Sequence, residues 1–184
     1  MIWLIVGFIV IIGFIILEIF TSKKLSPIPY FPSNHRDKNL IFSHITLKND
    51  QIFIDAGAGD GWIIFESAHI TFEKGLNTVF VAIEINPILI GILHIKRFFH
   101  PNRKQIIISS QDMFSLDWDQ YKQYKYHTLY VYISPWFVER VIKKARTILS
   151  DLSIISYYYP IPYLKDQEKK YKGIHDLYTY NPKK

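Results

Sequence analysis

The sequence predicts an α/β domain with a mostly parallel sheet, helices on both faces and a shortened C-terminal end, preceded by one transmembrane helix. Three observations predict it. Short apolar runs rich in Ile, Val, Phe and Tyr alternate with segments of helical period between residues 51 and 159. A glycine-rich turn, Asp55-Ala-Gly-Ala-Gly-Asp-Gly61, comes directly off the first of those runs. Ile2 to Phe20 is almost wholly aliphatic and aromatic, with Glu18 its only charge.

About 20 such apolar residues span a bilayer. No basic segment precedes the run, and its end, Leu-Glu-Ile-Phe-Thr-Ser, offers no small-residue cleavage site, so residues 1–22 read as a retained anchor. Lys23 and Lys24 follow and no charged side chain precedes, which by the positive-inside rule predicts a single-pass membrane protein with its domain on the cytoplasmic side. Residues 23–36 form a stiff proline-rich linker, in which the aromatic pair Tyr30 and Phe31 is placed to act as a lid. Residues 37–184 leave about 150 positions, enough for one domain with its own core.

Within that domain Leu40, Ile41, His44 and Leu47 fall at helical spacing, predicting a first helix over Asp37–Leu47. A strand follows through Gln51–Ile54, a helix over Gly61–Glu73, a second strand through Val79–Glu84 and a helix from Pro87 to His100. Strands three, four and five are expected over Gln105–Ser109, Thr128–Ile133 and Ser153–Tyr159, with a helix over Pro135–Leu149 between the last two. Asn86-Pro87 and Ser134-Pro135 each pair an N-cap residue with proline at the first helical position. Gly173–Tyr180 is the last strand candidate, and the short remainder after strand five predicts a curtailed closing hairpin.

The chain has no cysteine, which excludes disulfides and thiolate metal sites, and its histidines show no metal-ligand spacing; no metal is expected. The net charge of +6 is spread over several lysine groups rather than gathered into a stripe with interleaved aromatics. Anionic lipid or an acidic partner fits that distribution better than nucleic acid, which is not expected to bind.

A strand that ends in a carboxylate and turns through three glycines lets a ligand approach the backbone where any Cβ would collide. With Glu84 closing the next strand, this pattern reads as a site for S-adenosylmethionine. Asp55 suits the cofactor's ammonium group, Gly57, Gly59 and Gly61 give the close approach, and Glu84 can accept both ribose hydroxyls. Two such bonds contribute roughly 1.5–3 kcal/mol, so Glu84→Ala is expected to weaken cofactor binding by about 10- to 100-fold without unfolding the domain. Asn86 follows Glu84, and after strand three Asp112 can accept from the adenine amino group while Met113 flanks the ring. A nicotinamide dinucleotide would need glycine where Trp62 stands, and Asp55 would repel its pyrophosphate.

These motifs resemble those of the membrane-anchored lysine methyltransferases that modify mitochondrial inner-membrane proteins, including the ATP synthase c-subunit and adenine nucleotide translocase enzymes. The similarity spans almost the whole chain: the anchor, Pro29-Tyr-Phe-Pro-Ser33, Asp55–Gly61, Glu84-Ile-Asn-Pro87, Asp112-Met-Phe, Ser134-Pro135, Tyr158-Tyr-Pro-Ile-Pro162 and Gly173–Tyr180. The resemblance implies a Rossmann-like class I methyltransferase that transfers methyl groups from S-adenosylmethionine to lysine in a membrane or membrane-associated protein. Ser134, Pro135 and Trp136 lie where such enzymes approach the methyl acceptor, but without the acid or amide found in many enzymes acting on base nitrogens. Tyr158 and Tyr159 are placed to line a channel for a lysine stem, since aromatic faces hold a cationic head. Only the neutral amine attacks the methyl group, and desolvation can supply it, so no general base is assigned. Methylation of a membrane lipid or small molecule, and a non-catalytic cofactor-binding scaffold, are the competing readings.

Overall fold

The protein is described by a computed structural model covering residues 2–21 and 31–182, with the side chains of its first helix through Ile15. That helix, α1 (Ile2–Thr21), forms over the apolar run. Among the described residues no helix is long and apolar enough to cross a membrane. The expected transmembrane anchor, its bilayer contact and the single-pass, cytoplasmic-side placement are corrected accordingly.

Seven strands form one sheet in the order β3-β2-β1-β4-β5-β7-β6. They are β1 (Gln51–Ala56), β2 (Val79–Ile83), β3 (Ile106–Ser109), β4 (Tyr126–Val131), β5 (Ser153–Tyr157), β6 (Glu168–Tyr171) and β7 (Leu177–Tyr180). The first five run parallel, and β7 inserts antiparallel between β5 and β6. β1 is central and every one of its residues is buried, as expected for a strand covered on both faces.

Period-two alternation divides its side chains between two cores. Ile52, Ile54 and Ala56 join Val138, Val141, Ile142 and Ala145 of α5 (Pro135–Ile148) on one face. Phe53 joins Ile41, Ile63, Ile64, Ala68 and Leu93 on the other, from α2 (Lys38–Ser43), α3 (Trp62–Glu73) and α4 (Pro87–Phe99).

Two expectations are corrected in the C-terminal half. The closing hairpin is present, so the sheet is complete rather than shortened. β6 reads Glu-Lys-Lys-Tyr, with its two lysines exposed; a charged edge strand resists pairing with other chains but has no apolar alternation to mark it in a sequence. Ser134 stands at the N-cap of α5, yet its side chain makes no capping bond. Proline alone sets that helix start, whereas Asn86 Oδ1 accepts from the Ile88 and Leu89 amides at the head of α4.

The predicted first helix is shorter than expected, a 3-10 turn (His35–Asp37) leading into the six residues of α2. Its start is fixed by long-range contacts. The nearly fully buried Asp37 carboxylate accepts from the Tyr157 hydroxyl at 2.6 Å and from the Ile174 and His175 amides at 2.7 and 2.9 Å. Burial alone would raise its pKa, but the His175 amide, the Tyr157 hydroxyl and the Ile174 amide outweigh burial and hold it below the usual carboxylate value. A depressed carboxylate stabilises the fold above its unfolded pKa, and that contribution is lost as pH falls through the lower folded value. Asp37→Asn is expected to cost about 1–3 kcal/mol. Thermal melts should show the deficit at neutral pH and a smaller one in acid, where the wild-type carboxylate is itself protonated.

Candidate active site

The switch point of the sheet lies between β1 and β4, beyond the carboxyl ends of the strands, where ligands of open parallel sheets bind. There the chain turns through Gly57, Gly59 and Gly61 with φ of +89°, +57° and +78°, a region L side chains rarely adopt. A Cβ on Gly57 would stand 2.8 Å from Ile133 Cγ2, and one on Gly61 2.4 Å from Leu93 Cδ2. Both positions require glycine by conformation and by space. The Gly57 and Ala58 amides donate to the Ile83 carbonyl at 3.0 and 2.9 Å, which ties the turn to β2.

Two carboxylates face this turn with different duties. Glu84 Oε2 accepts from the Gly59 amide at 2.8 Å, and Oε1 accepts from the Ile85 and Asn86 amides at 2.8 and 2.9 Å. A carboxylate offers about four lone-pair positions, so three are already used by the loop and roughly one remains for a ligand. The expectation that Glu84 takes both ribose hydroxyls is thus reduced to one strong bond, and Glu84 is also a structural keystone.

Asp55 has no such partners. It is 3% exposed and accepts no side-chain hydrogen bond from the described residues. Burial, then the neighbouring charges of Glu84 and Asp60, push its pKa well above the ordinary carboxylate value. A buried acid without a donor is costly unless a cation arrives to match it. The third acid, Asp60, is matched already, since Lys96 Nζ reaches its Oδ2 at 2.7 Å and its carbonyl at 2.8 Å.

The remaining expected cofactor residues fall into place unevenly. Met113 is buried, and its Cε would lie 3.7 Å from a Cβ on Gly57. Asp112 is exposed and uses Oδ1 to accept from the Phe114 amide at 2.9 Å, leaving Oδ2 available. Asn86 is fully buried; its Oδ1 caps α4, while its Nδ2 has no partner among the described residues.

Of the expected lid, Tyr30 lies outside the described residues. Phe31, Pro32 and Ser33 do line the pocket over Asp55, Gly57 and Gly59, leaving about 30 Å³ there, room for one or two waters. Ser33 Oγ and the Tyr130 hydroxyl are 2.9 Å apart, and His35 packs on Trp62 with ring centroids 4.2 Å apart. Phe31, Pro32 and Ser33 therefore form one wall of this pocket.

Tyr132, the exit residue of β4, also lines this pocket and connects it to an aromatic group. Its ring stands edge-on to Tyr157 at 5.0 Å and to Tyr158 at 6.5 Å, and stacks with Tyr159 at 6.4 Å. His175 closes the group at 4.5 Å from Tyr158. Tyr158 has φ +75°, which for a non-glycine residue stores strain of order 1 kcal/mol and is commonest at functional sites. Its amide donates to the Asp176 carbonyl at 2.7 Å, which fixes that conformation. Ser134, Pro135 and Trp136 follow Tyr132 onto α5, but Trp136 is 84% exposed and none of the three lines the pocket.

Sequence reasoning missed Ser33, Tyr130, Tyr132 and His175. The pair Tyr130 and Tyr132 did carry a signal, since two tyrosines at period two on the strand flanking the switch point must share one face. Ser33 and His175 carried none.

No family model matches the sequence, and no curated protein matches it. Solved structures do. An RNA methyltransferase from Salinibacter ruber in complex with S-adenosyl-L-homocysteine superposes with a TM-score of 0.61 at 18% identity, over 84% of this chain and 95% of that one. The fold is that of class I methyltransferases. TrmK of M. capricolum, also in complex with S-adenosyl-homocysteine, matches with a TM-score of 0.55 at 12% identity, over 83% of this chain and 70% of that one. A fibrillarin/Nop5p complex matches at 0.56 and 16%, covering 79% of each chain. At these identities the likeness establishes the fold and leaves the chemistry to the residues of the site.

Proposed function

We propose that this chain is an S-adenosylmethionine-dependent methyltransferase whose acceptor is the side-chain amine of a protein lysine. The observation that supports the cofactor is Asp55, a nearly buried acid that accepts no hydrogen bond among the described residues, at the floor of a turn that only glycine can make. When bound, the cofactor supplies an electrophilic methyl group on a sulfonium, and its ammonium group is the cation Asp55 lacks. Glu84 retains one acceptor position for a ribose hydroxyl, and Phe31–Ser33 exclude water from the same end of the site. Binding of S-adenosyl-L-homocysteine in the neighbouring folds agrees with this assignment.

The acceptor reading rests on Tyr132, Tyr158, Tyr159 and His175. Aromatic faces attract an ammonium group during capture, and an apolar aromatic wall lowers its pKa so that the neutral amine forms. With the cofactor bound, the neutral amine would take the methyl group as its bond to sulfur broke, and the amine's proton would leave to solvent. Orientation and desolvation can supply much of the rate, so the site does not require a dedicated base.

A base nitrogen of RNA is the second reading, favoured by neighbours that are RNA methyltransferases by name. The test is incubation of the full chain with methyl-labelled S-adenosylmethionine and separate fractions of host protein, RNA and lipid. Methyllysine in hydrolysed protein supports the proposal. Label confined to RNA establishes the second reading, label in lipid a lipid acceptor, and cofactor binding without transfer a scaffold. Tyr158→Ala should then lower kcat/KM for the acceptor by about 2- to 30-fold, the range of one cation–π contact, with cofactor affinity unchanged in calorimetry.

A further inference from the structure

A second cleft, of about 560 Å³, opens at the opposite end of the sheet from the glycine turn. It is lined by residues at the amino ends of β1, β4 and β5 and by the β6–β7 hairpin. Helix α2 ends at Ser43 after six residues, too short to cover that half of the sheet face. β1 separates the two sites: Gln51 lines the cleft, and Ala56 leads into the glycine turn about 16 Å away at 3.3 Å per residue.

Hydroxyl groups line its floor. Thr128 and Ser153 are register partners across β4 and β5, and Thr179 of β7 stands opposite Ile155. Thr179 is 8% exposed and lines the cleft.

The walls are cationic and aromatic. Lys169 is the register partner of Thr179, and Lys48 Nζ lies 4.5 Å over the Tyr126 ring. His44 packs on Tyr171 with ring centroids 3.8 Å apart. The one carboxylate in the lining, Asp151, is already held by His127 Nδ1 at 2.8 Å. Lys48 and Lys169 line the same cleft as Thr128, Ser153 and Thr179, a set of groups that suits a phosphate monoester, and the aromatic wall suits a flat ring attached to it.

We propose that this cleft is a second ligand site, separate from the methyl-transfer site, that takes a nucleoside 5′-monophosphate. The proposal is independent of the acceptor assignment, because its readout is binding alone. The probe is uridine 5′-monophosphate, titrated calorimetrically into the full chain saturated with S-adenosyl-L-homocysteine so that adenosine recognition does not contribute.

The expected result is saturable binding that weakens with salt, is absent for uridine, and falls roughly 10-fold or more in Lys48→Ala/Lys169→Ala. Both lysines are exposed, so circular dichroism of the variant should match wild type. Absence of saturable binding, equal binding of uridine, or full affinity in the double variant would overturn the proposal.

Discussion

Asp55→Asn is expected to make the ligand-free protein more stable and its cofactor binding weaker. The carboxylate is buried beside Glu84 and Asp60 and has no donor among the described residues, so its ionised form is held at a cost. An amide of nearly the same shape removes that cost. Relief of about 1 kcal/mol raises Tm by roughly 2–4 °C in a chain of this size. The same substitution removes the charge proposed to meet the cofactor's ammonium group, and a charged hydrogen bond of about 1.5–3 kcal/mol corresponds to roughly 10- to 100-fold in Kd.

The pH dependence follows from the raised pKa. A carboxyl whose folded pKa exceeds its unfolded value favours the folded state at low pH, and that contribution is lost as pH rises through the folded value. Ligand-free wild type should therefore lose stability as pH rises through the raised Asp55 pKa. Cofactor binding selects the ionised form, so its affinity should strengthen over the same interval with release of a proton. Calorimetry in buffers of different ionisation enthalpy reads that proton directly. Asp55→Asn should abolish both dependences; a variant that kept full affinity would remove Asp55 from the cofactor site.

Glu84→Ala is expected to have the larger effect because Glu84 serves the loop before it serves any ligand. Deleting its carboxylate leaves the Gly59, Ile85 and Asn86 amides without acceptors in a nearly buried site. At about 1–3 kcal/mol for each buried donor left unpaired, the loss is on the order of 3 kcal/mol or more, or roughly 6–12 °C in Tm. Cofactor affinity should fall by more than about 100-fold, since the turn that receives the ligand is disordered with it.

This differs from the sequence-based expectation of a binding defect in an intact domain. Glu84→Gln separates the two roles. Its Oε1 can still accept from Ile85 and Asn86, so much of the stability should return, while the ionic acceptor does not. Melting curves and titration with S-adenosyl-L-homocysteine on both variants check the split. A stable Glu84→Ala protein would show that other groups hold the loop.

Local chemistry explains which features the sequence made legible. The three glycines of Asp55–Gly61 were readable because each needs a conformation that side chains forbid. The start of α4 was readable because Asn86 and Pro87 satisfy the helix end within four residues. The five parallel strands were visible because burial on both faces demands apolar runs. None of these depends on where the rest of the chain goes.

Other features were set by partners far away in sequence. Asp37 is a surface-type residue by composition and became a buried hub because Tyr157, 120 residues later, reaches its carboxylate. Tyr132, Tyr158, Tyr159 and His175 form one aromatic group because β5 pairs with both β4 and β7, bringing three separate segments together. The β6–β7 hairpin is held by pairing to β5 rather than by its own charged sequence. The second cleft exists because α2 stops after six residues while the sheet behind it continues. The sequence by itself determined the five parallel strands, the start of α4 and the glycine turn, through conformational rules that act within a few residues. The tertiary structure alone decided which aromatic side chains meet beside the glycine turn and which sheet face stays uncovered, because those contacts form only when distant strands pair.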